Sequence, residues 1–386
     1  MKKRIVLLGA TGSIGDSTLE VLRKYPERFE LVGIAANRSL PKLSAIAKEF
    51  NVPEVVIFDE QGYTEAKKAG LFSKNCNLHS GEEGLKLLAS LPEADIVVLA
   101  MTGTMGLKPA LEAIKLGKTA AFANKEILVM AGNVIMKAAK TYHATILPID
   151  SEHNAIFQCL QGQDRSAVES IILTASGGAF RNCLLEDLKT VTAEDALKHP
   201  TWLMGPKVTI DCATMANKGL ELMEARWLFD MPVEKLQVLI HPQSIIHSMV
   251  QFVDGSILAQ LSPTSMIFPI QYCLFFPDRM PACRAPLDLS KMLNLELAPP
   301  DFNRYPCLRL AMEALKVGGL APTIYNAANE VAVEAFVSQK ISFLNISEVI
   351  DKTLQIVSNC ESNELSIIIE AHNQAIEIAK QIINES

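Results

Sequence analysis

The chain has 386 residues, too many for one ordinary hydrophobic core, so two or three domains are expected. Hydrophobic residues make up 49% and charged residues 20%, the balance of a packed globule rather than a disordered chain. A net charge of −7 leaves no basic excess to neutralise a nucleic-acid backbone, whereas a small anionic ligand needs only a few local donors.

The eight cysteines show no C-x-x-C spacing and are too sparse for a disulfide scaffold, which points to free thiols in a reducing compartment. The N-terminal apolar run meets Gly9 too early for a signal peptide. No apolar run reaches the roughly 18 residues of a membrane span. A soluble, cytoplasmic protein without a nucleic-acid or membrane partner is the expectation.

Over residues 1–150, Arg4–Leu8, Glu30–Ala35, Glu54–Phe58, Ala94–Ala100, Thr119–Ala123 and Thr145–Ile149 read as strands. Helical patterns such as Ser17–Lys24, Leu40–Phe50, Gly81–Ser90 and Lys108–Leu116 lie between them. This alternation predicts an α/β fold with an N-terminal Rossmann-like parallel sheet, whose ligands sit at the carboxyl ends of the strands. From 151 to 276 the texture changes. Val168–Thr174, Gln237–His241, Ile246–Phe252 and Ser256–Leu261 suggest a second sheet in a central α+β domain, with a loop-rich stretch around 198–211. Prolines crowd residues 277–304 into an extended linker, and 305–386 read as a C-terminal helical domain, with Leu365–Ile369 its one strand-like run.

The first strand leads into glycines 9, 12 and 15, a G-x-x-G-x-x-G loop ahead of a helix. Such glycines let backbone amides approach a pyrophosphate at a helix N-terminus. The bland alternative is an incidental glycine-rich turn. After the second strand come Asn37, Arg38 and Ser39 rather than the acidic residue that binds the ribose of NAD. A guanidinium flanked by small polar residues suits a 2′-phosphate, so NADP is expected; a solvated loop arginine is the other reading.

The last strand of this region runs into Pro148-Ile149-Asp150-Ser151-Glu152. On an extended backbone Asp150 and Glu152 face one side, and two close carboxylates require a cation or proton between them. Mg²⁺ or Mn²⁺ fits all-oxygen ligation better than zinc; an acidic helix N-cap is the alternative. Further on, Asn217 and Lys218 stand four and three residues before Glu221, so one helical face could join two donors to a third carboxylate. A surface Lys–Glu pair is the alternative there. Thr174-Ala175-Ser176-Gly177-Gly178 suits a phosphate cradle or an ordinary strand-ending turn. His199-Pro200-Thr201-Trp202-Leu203-Met204-Gly205-Pro206 has the composition of a lid, or of a structural loop with Trp202 buried.

Eight blocks in order, GATGSIG at the start, ANKE at 123–126, PIDSEHNAIFQ at 148–158, TASGGAF at 174–180, HPTWLMG at 199–205, ATMANKGLE at 213–221, HPQSIIHSMV at 241–250 and NAANEVAVEAF at 326–336, resemble the 1-deoxy-D-xylulose 5-phosphate reductoisomerase family. The resemblance implies a homodimeric, NADPH-dependent enzyme of isoprenoid synthesis that acts on a small phosphorylated sugar. It implies Asp150, Glu152 and Glu221 as ligands of Mn²⁺ or Mg²⁺. Substrate would be held by Lys125, Ser151, Glu152, Ser176, His199, Trp202, Cys212, Asn217, Lys218 and Glu221, with Lys125, Glu152 and His199 in catalytic roles. Thr11, Gly12, Ser13, Ile14, Asn37, Arg38, Ser39, Asn124, Glu126 and Gly205 would line the cofactor, and 198–207 would form the lid.

Two departures stand out. Cys212 occupies the place of a phosphate-binding serine, and a thiol is a weaker donor. Thr264-Ser265-Met266-Ile267 stands where the family often shows a Pro-Asp-Met-Arg run, which keeps Met266 but puts any ion pair made there in doubt. A plain NADP-dependent dehydrogenase would leave the three acids without a role, and a non-catalytic NADPH-binding regulator would show no turnover.

Overall fold

A computed structural model describes residues 1–202 and 204–385 and divides them into two compact units. The first holds residues 1–127, 135–154 and 266–285; the second holds 128–134, 155–265 and 286–386, of which Leu203 and Ser386 are not described.

The first unit is built on seven strands: β1 (Lys3–Leu8), β2 (Phe29–Ala36), β3 (Glu54–Ile57), β4 (Asn77–Ser80), β5 (Ile96–Leu99), β6 (Thr119–Phe122) and β7 (Ile146–Pro148). All pair in parallel, in the order β4-β3-β2-β1-β5-β6-β7. Apart from the edge strand β4, their near-continuous runs of Val, Ile, Leu and Ala are what a sheet covered on both faces demands. Its helices are α1 (Ser13–Lys24), α2 (Leu40–Phe50), α3 (Glu60–Lys68), α4 (Gly81–Ser90), α5 (Leu107–Lys115) and most of α6 (Lys125–Thr141). The start of α7 (Ser151–Cys159) also lies here. Strand order reverses between β1 and β5, which is where doubly wound sheets open a ligand crevice.

Strand β4 was not among the expected strands. Its sequence Asn-Leu-His-Ser shows no apolar alternation, and it is held at the sheet edge by polar contacts instead. Asn77 Nδ2 donates to Glu54 Oε1 at 2.7 Å, and His79 Nε2 lies 2.7 Å from Glu54 Oε2.

The second unit carries β8 (Val168–Ala175), β9 (Leu236–Ile240), β10 (Ile246–Phe252) and β11 (Ile257–Leu261) in the order β11-β10-β8-β9. The β8–β9 pair is parallel and the other two pairs are antiparallel, so this sheet is mixed. Around it pack a short α8 (Ala193–Ala196), then α9 (Pro206–Thr214) and α10 (Ala216–Leu228). The largely apolar α11 (Ile267–Phe275) returns to the first unit, where Phe275 meets the rings of Tyr25 and Phe29 edge-on. The chain then closes the second unit with α12 (Pro306–Val317), α13 (Ala321–Val337), α14 (Asn345–Ile356) and α15 (Leu365–Asn384). The seemingly strand-like Leu365–Ile369 opens α15. Its buried residues Ile368, Ala371, Ala375, Ala379 and Ile382 recur every three or four positions, a helical period. The expected loop around 198–211 ends at Gly205, because Pro206 is well placed in a first helical turn and α9 begins there.

Helices α9 and α13 are tied by a buried polar link. Asn329 Nδ2 donates to Asp211 Oδ1 at 2.8 Å, and Lys207 Nζ lies 2.9 Å from Asp211 Oδ2. Asp211 is 1% exposed, so removing Asn329 leaves a buried carboxylate oxygen without its donor. Asn329→Ala is expected to cost about 2–4 kcal/mol in urea unfolding. Adding Asp211→Asn should recover part of that loss, and an additive double variant would show that the link is not what holds these helices.

Candidate active site

At the crevice of the first unit, Gly9 follows β1 with φ +98°, and a Cβ there would overlap the Ala100 carbonyl just past β5. The glycine is therefore required by the approach of the two strand ends that form the crevice. Gly12 caps α1 with no side-chain bond, leaving that helix N-terminus to an external anion. Thr11, Ser13 and Ile14 flank it. Asn37, Arg38 and Ser39 are exposed at the end of β2. The Arg38 guanidinium lies 3.6 Å from Asp59 and 3.3 Å from Glu65, exposed pairs worth roughly 0–1 kcal/mol that a phosphate can displace.

Asn124 is buried and holds the post-β5 loop by donating to Met101 O and, at 2.7 Å, to Gly103 O, while its Oδ1 caps α6. Glu126 follows in the first turn of α6.

Lys125 and Asp150 issue from neighbouring parallel strands, paired as far as Phe122 and Pro148, and meet at 2.5 Å. Burial pushes the Asp150 carboxyl up, but the Lys125 ammonium and His153 outweigh it and hold it far below the usual carboxylate range. The backbone corrects the expected geometry. Asp150 ends the strand approach and α7 starts at Ser151, so Glu152 is not two positions along an extended chain but inside the first helical turn. Ser151 Oγ donates to Glu152 Oε2 at 2.5 Å. Asn154, which sequence reasoning passed over, anchors this corner by donating to Pro148 O at 2.9 Å.

In the second unit β8 ends at Ala175, and Ser176 follows. The His199 ring explains itself through its partners. Its Nδ1 accepts from Thr201 N at 3.2 Å and Trp202 N at 3.0 Å, so the proton must sit on Nε2, which donates to Ser176 Oγ at 3.0 Å. Gly178 N also donates to Ser176 Oγ, at 3.1 Å. The hydroxyl thus accepts twice and keeps its own proton for a ligand. Burial pushes the His199 imidazole down to about 4.

Trp202 is half-buried, its ring 6.0 Å from that of His247, and Thr201 Oγ1 bonds Ser244 Oγ at 3.0 Å; Leu203, within the expected lid, lies outside the described residues. Gly205 is exposed at the start of α9, and Cys212 is half-buried on that helix.

Met215, at φ +62°, turns α9 into α10, whose first turns carry Asn217, Lys218 and Glu221. Asn217 Nδ2 donates to Glu221 Oε1 at 2.6 Å, and Lys218 Nζ pairs with Glu221 Oε2. Lys218 is 2% and Glu221 1% exposed, which rules out a surface ion pair. A buried pair of this kind adds little net stability over an apolar pair, so its presence points to chemistry.

A doubly wound sheet with an anion-ready glycine loop, together with buried carboxylates each beside a lysine or hydroxyl donor, defines a dinucleotide-dependent oxidoreductase with oxygen-donor acid sites. Family models for 1-deoxy-D-xylulose 5-phosphate reductoisomerase match residues 5–132, for its C-terminal domain residues 146–229, and for the DXP reductoisomerase C-terminal domain residues 261–378. The chain belongs to the 1-deoxy-D-xylulose 5-phosphate reductoisomerase family.

It is 50% identical over 354 residues to that reductoisomerase of Geobacillus sp. (strain WCH70), covering 92% of each chain. Against the reductoisomerase of Clostridium perfringens (strain ATCC 13124) it is 49% identical over 386 residues, 96% of this chain and 100% of the relative. The Zymomonas mobilis reductoisomerase solved with NADPH superposes with a TM-score of 0.93 at 43% identity, covering 99% of both chains. A DOX-P reductoisomerase solved with NADPH, fosmidomycin and magnesium gives a TM-score of 0.93 at 40% identity, over 99% of this chain and 98% of that one.

The His199 geometry predicts a pH response. With its folded value near 4, below the ordinary value near 6.5, the neutral ring contributes stability fully above about pH 6.5. That contribution is lost as pH falls from there through about 4. Nitrogen-detected NMR should find Nδ1 bare and Nε2 protonated, with no titration above pH 5.5. A midpoint near 6.5 would rule out the Thr201 and Trp202 amides as partners.

Proposed function

We propose that this chain catalyses the NADPH-dependent reductive isomerisation of 1-deoxy-D-xylulose 5-phosphate to 2-C-methyl-D-erythritol 4-phosphate, in non-mevalonate isoprenoid biosynthesis. The buried Asn217–Lys218–Glu221 set carries the reading, because a plain dehydrogenase has no use for a desolvated carboxylate with its own ammonium and amide donors. The relatives' names and the NADPH and magnesium of the solved structures support it over the whole chain length.

Asp150, Glu152 and Glu221 are the proposed metal ligands. Their donors are carboxylate oxygens without a sulfur or imidazole, a set suited to Mg²⁺ or Mn²⁺. When bound, the cation polarises the substrate's ketone and adjacent hydroxyl oxygens, and NADPH supplies the hydride that reduces the rearranged aldehyde.

The chain's own residues do the rest. Lys125, already an ammonium beside Asp150, is placed to donate to an oxygen that gains charge during rearrangement. Glu152 is the proposed proton shuttle, with Ser151 orienting it. Ser176, Cys212, Asn217 and Lys218 are the proposed phosphate donors, and neutral His199 holds the Ser176 hydroxyl in its donating orientation. Trp202 and residues 198–207 close over substrate and exclude water. Thr11–Ile14, Asn37–Ser39, Asn124, Glu126 and Gly205 line the NADPH site, Arg38 meeting the 2′-phosphate.

The proposed enzyme is cytoplasmic and homodimeric. All eight cysteines are free, and no helix among the described residues is long and apolar enough to cross a membrane. Strand β11 is a sheet edge that exposes Ile257 (51%), Leu258 (41%) and Leu261 (39%), an apolar edge that calls for cover by a second copy.

NADPH oxidation with 1-deoxy-D-xylulose 5-phosphate should depend on Mg²⁺ or Mn²⁺ and stop with excess EDTA. Glu152→Gln should abolish turnover while NADPH still binds. Oxidation that survives chelation would favour a metal-independent dehydrogenase, and NADPH binding without turnover a regulator. Light scattering should give twice the chain mass, and Ile257→Glu should halve it; a wild-type monomer would overturn the dimer.

A further inference from the structure

Three carbonyl oxygens of the loop from Ser176 to Phe180 are held by side chains. The Arg181 guanidinium donates to Ser176 O at 2.7 Å, Tyr305 Oη to Gly177 O at 3.0 Å, and the Arg304 guanidinium to Phe180 O at 3.0 Å. Two of these anchors come from the entry of α12, more than a hundred residues further along the chain. Tyr305 is 3% exposed, so its hydroxyl bond is a desolvated one.

In a planar trans peptide, the carbonyl of one residue and the N–H of the next point to opposite sides. Fixing Ser176 O on Arg181 therefore fixes the Gly177 N–H facing away from the guanidinium. By the same geometry, fixing Gly177 O on Tyr305 sets the Gly178 N–H. That second amide is the one that donates to Ser176 Oγ, opposite the His199 donor. The Gly177 N–H itself has no hydrogen-bond partner among the described residues. Gly177 and Gly178, at φ +81° and +69°, hold a backbone conformation that side-chain-bearing residues rarely adopt, so the two peptide planes can take these orientations here because both residues are glycine. Gly178 further allows the loop to lie against α9, since a Cβ there would come 2.5 Å from the Cys212 carbonyl oxygen.

We infer that Arg181 and Tyr305 are positioning residues: by locking two successive peptide planes, they aim the Gly177 N–H and the Ser176 hydroxyl at a phosphate group. The inference rests on the proposed function for the identity of the phosphate's bearer, not for the loop geometry. It also gives the C-terminal helices a part in substrate binding, because Tyr305 is held at the head of α12 by the packing of that bundle.

The test uses the full chain loaded with NADPH and Mg²⁺. Tyr305→Phe keeps the ring and removes only the hydroxyl; Arg181→Met removes the guanidinium, and Arg181→Lys is the conservative rescue. Inorganic phosphate is titrated calorimetrically and used as a competitive inhibitor, and KM is measured for the sugar phosphate and for NADPH.

Each loss variant should weaken phosphate about three- to tenfold, the size of one lost hydrogen bond, and raise the sugar-phosphate KM by the same factor. The NADPH KM and kcat should stay within about twofold, and Arg181→Lys should recover most of the loss. Unchanged phosphate affinity in both variants would overturn the inference. So would a parallel rise in both KM values with a lower melting temperature, which marks a merely structural role. Should Tyr305→Phe not fold, Arg181→Met decides alone. If the wild type shows no metal-dependent turnover, the proposed function fails, and the phosphate titration still decides the positioning role.

Discussion

A carboxylate removed from water must have a cation or several donors beside it, and this requirement organises the functional half of the molecule. Three acids meet it with lysines: Asp150 with Lys125, Glu221 with Lys218, and Asp211 with Lys207. None of these pairs is worth much as stability, because desolvation consumes most of the Coulombic gain. Their roles differ by position. Asp211 spends its second oxygen on Asn329 and so fixes α9 against α13, whereas Asp150 and Glu221 pair with lysines close to them in the proposed site. Once Asp211 holds α9, the turn at Met215 places Asn217, Lys218 and Glu221 in the opening turns of α10. A structural ion pair thus sets up one that belongs to the proposed site.

How much of this could be read from the sequence follows from how local each interaction is. Lys218 and Glu221 are three residues apart, so helical spacing alone brings them together, and only their burial had to come from the structure. The parallel sheet was legible because strands covered on both faces need unbroken apolar runs. Lys125 and Asp150 are 25 positions apart and meet only because β6 and β7 are neighbours, which composition does not encode. Asp150-Ser151-Glu152 was ambiguous for a chemical reason. Short polar and acidic residues serve equally as a strand exit and as a helix entry, and the helix prevailed. The positioning layer was invisible. Tyr305 lies 128 residues from Gly177, and nothing in either segment announces the other.

The cysteine at 212 gives this hidden layer its weight. In the proposed reading a thiol stands where a hydroxyl would meet the phosphate, and a thiol donates weakly. Affinity for the phosphate must then come from Ser176, Asn217, Lys218 and the Gly177 amide. Side-chain donors can adjust by rotation, but an amide can be aimed only by fixing its peptide plane. Weakening one side-chain donor therefore shifts dependence toward backbone donors, and through them toward the groups that hold the carbonyls of Ser176 and Gly177. On this chain, a substitution on α9 raises the importance of a tyrosine at the head of α12, with the backbone of one short loop as the link between them.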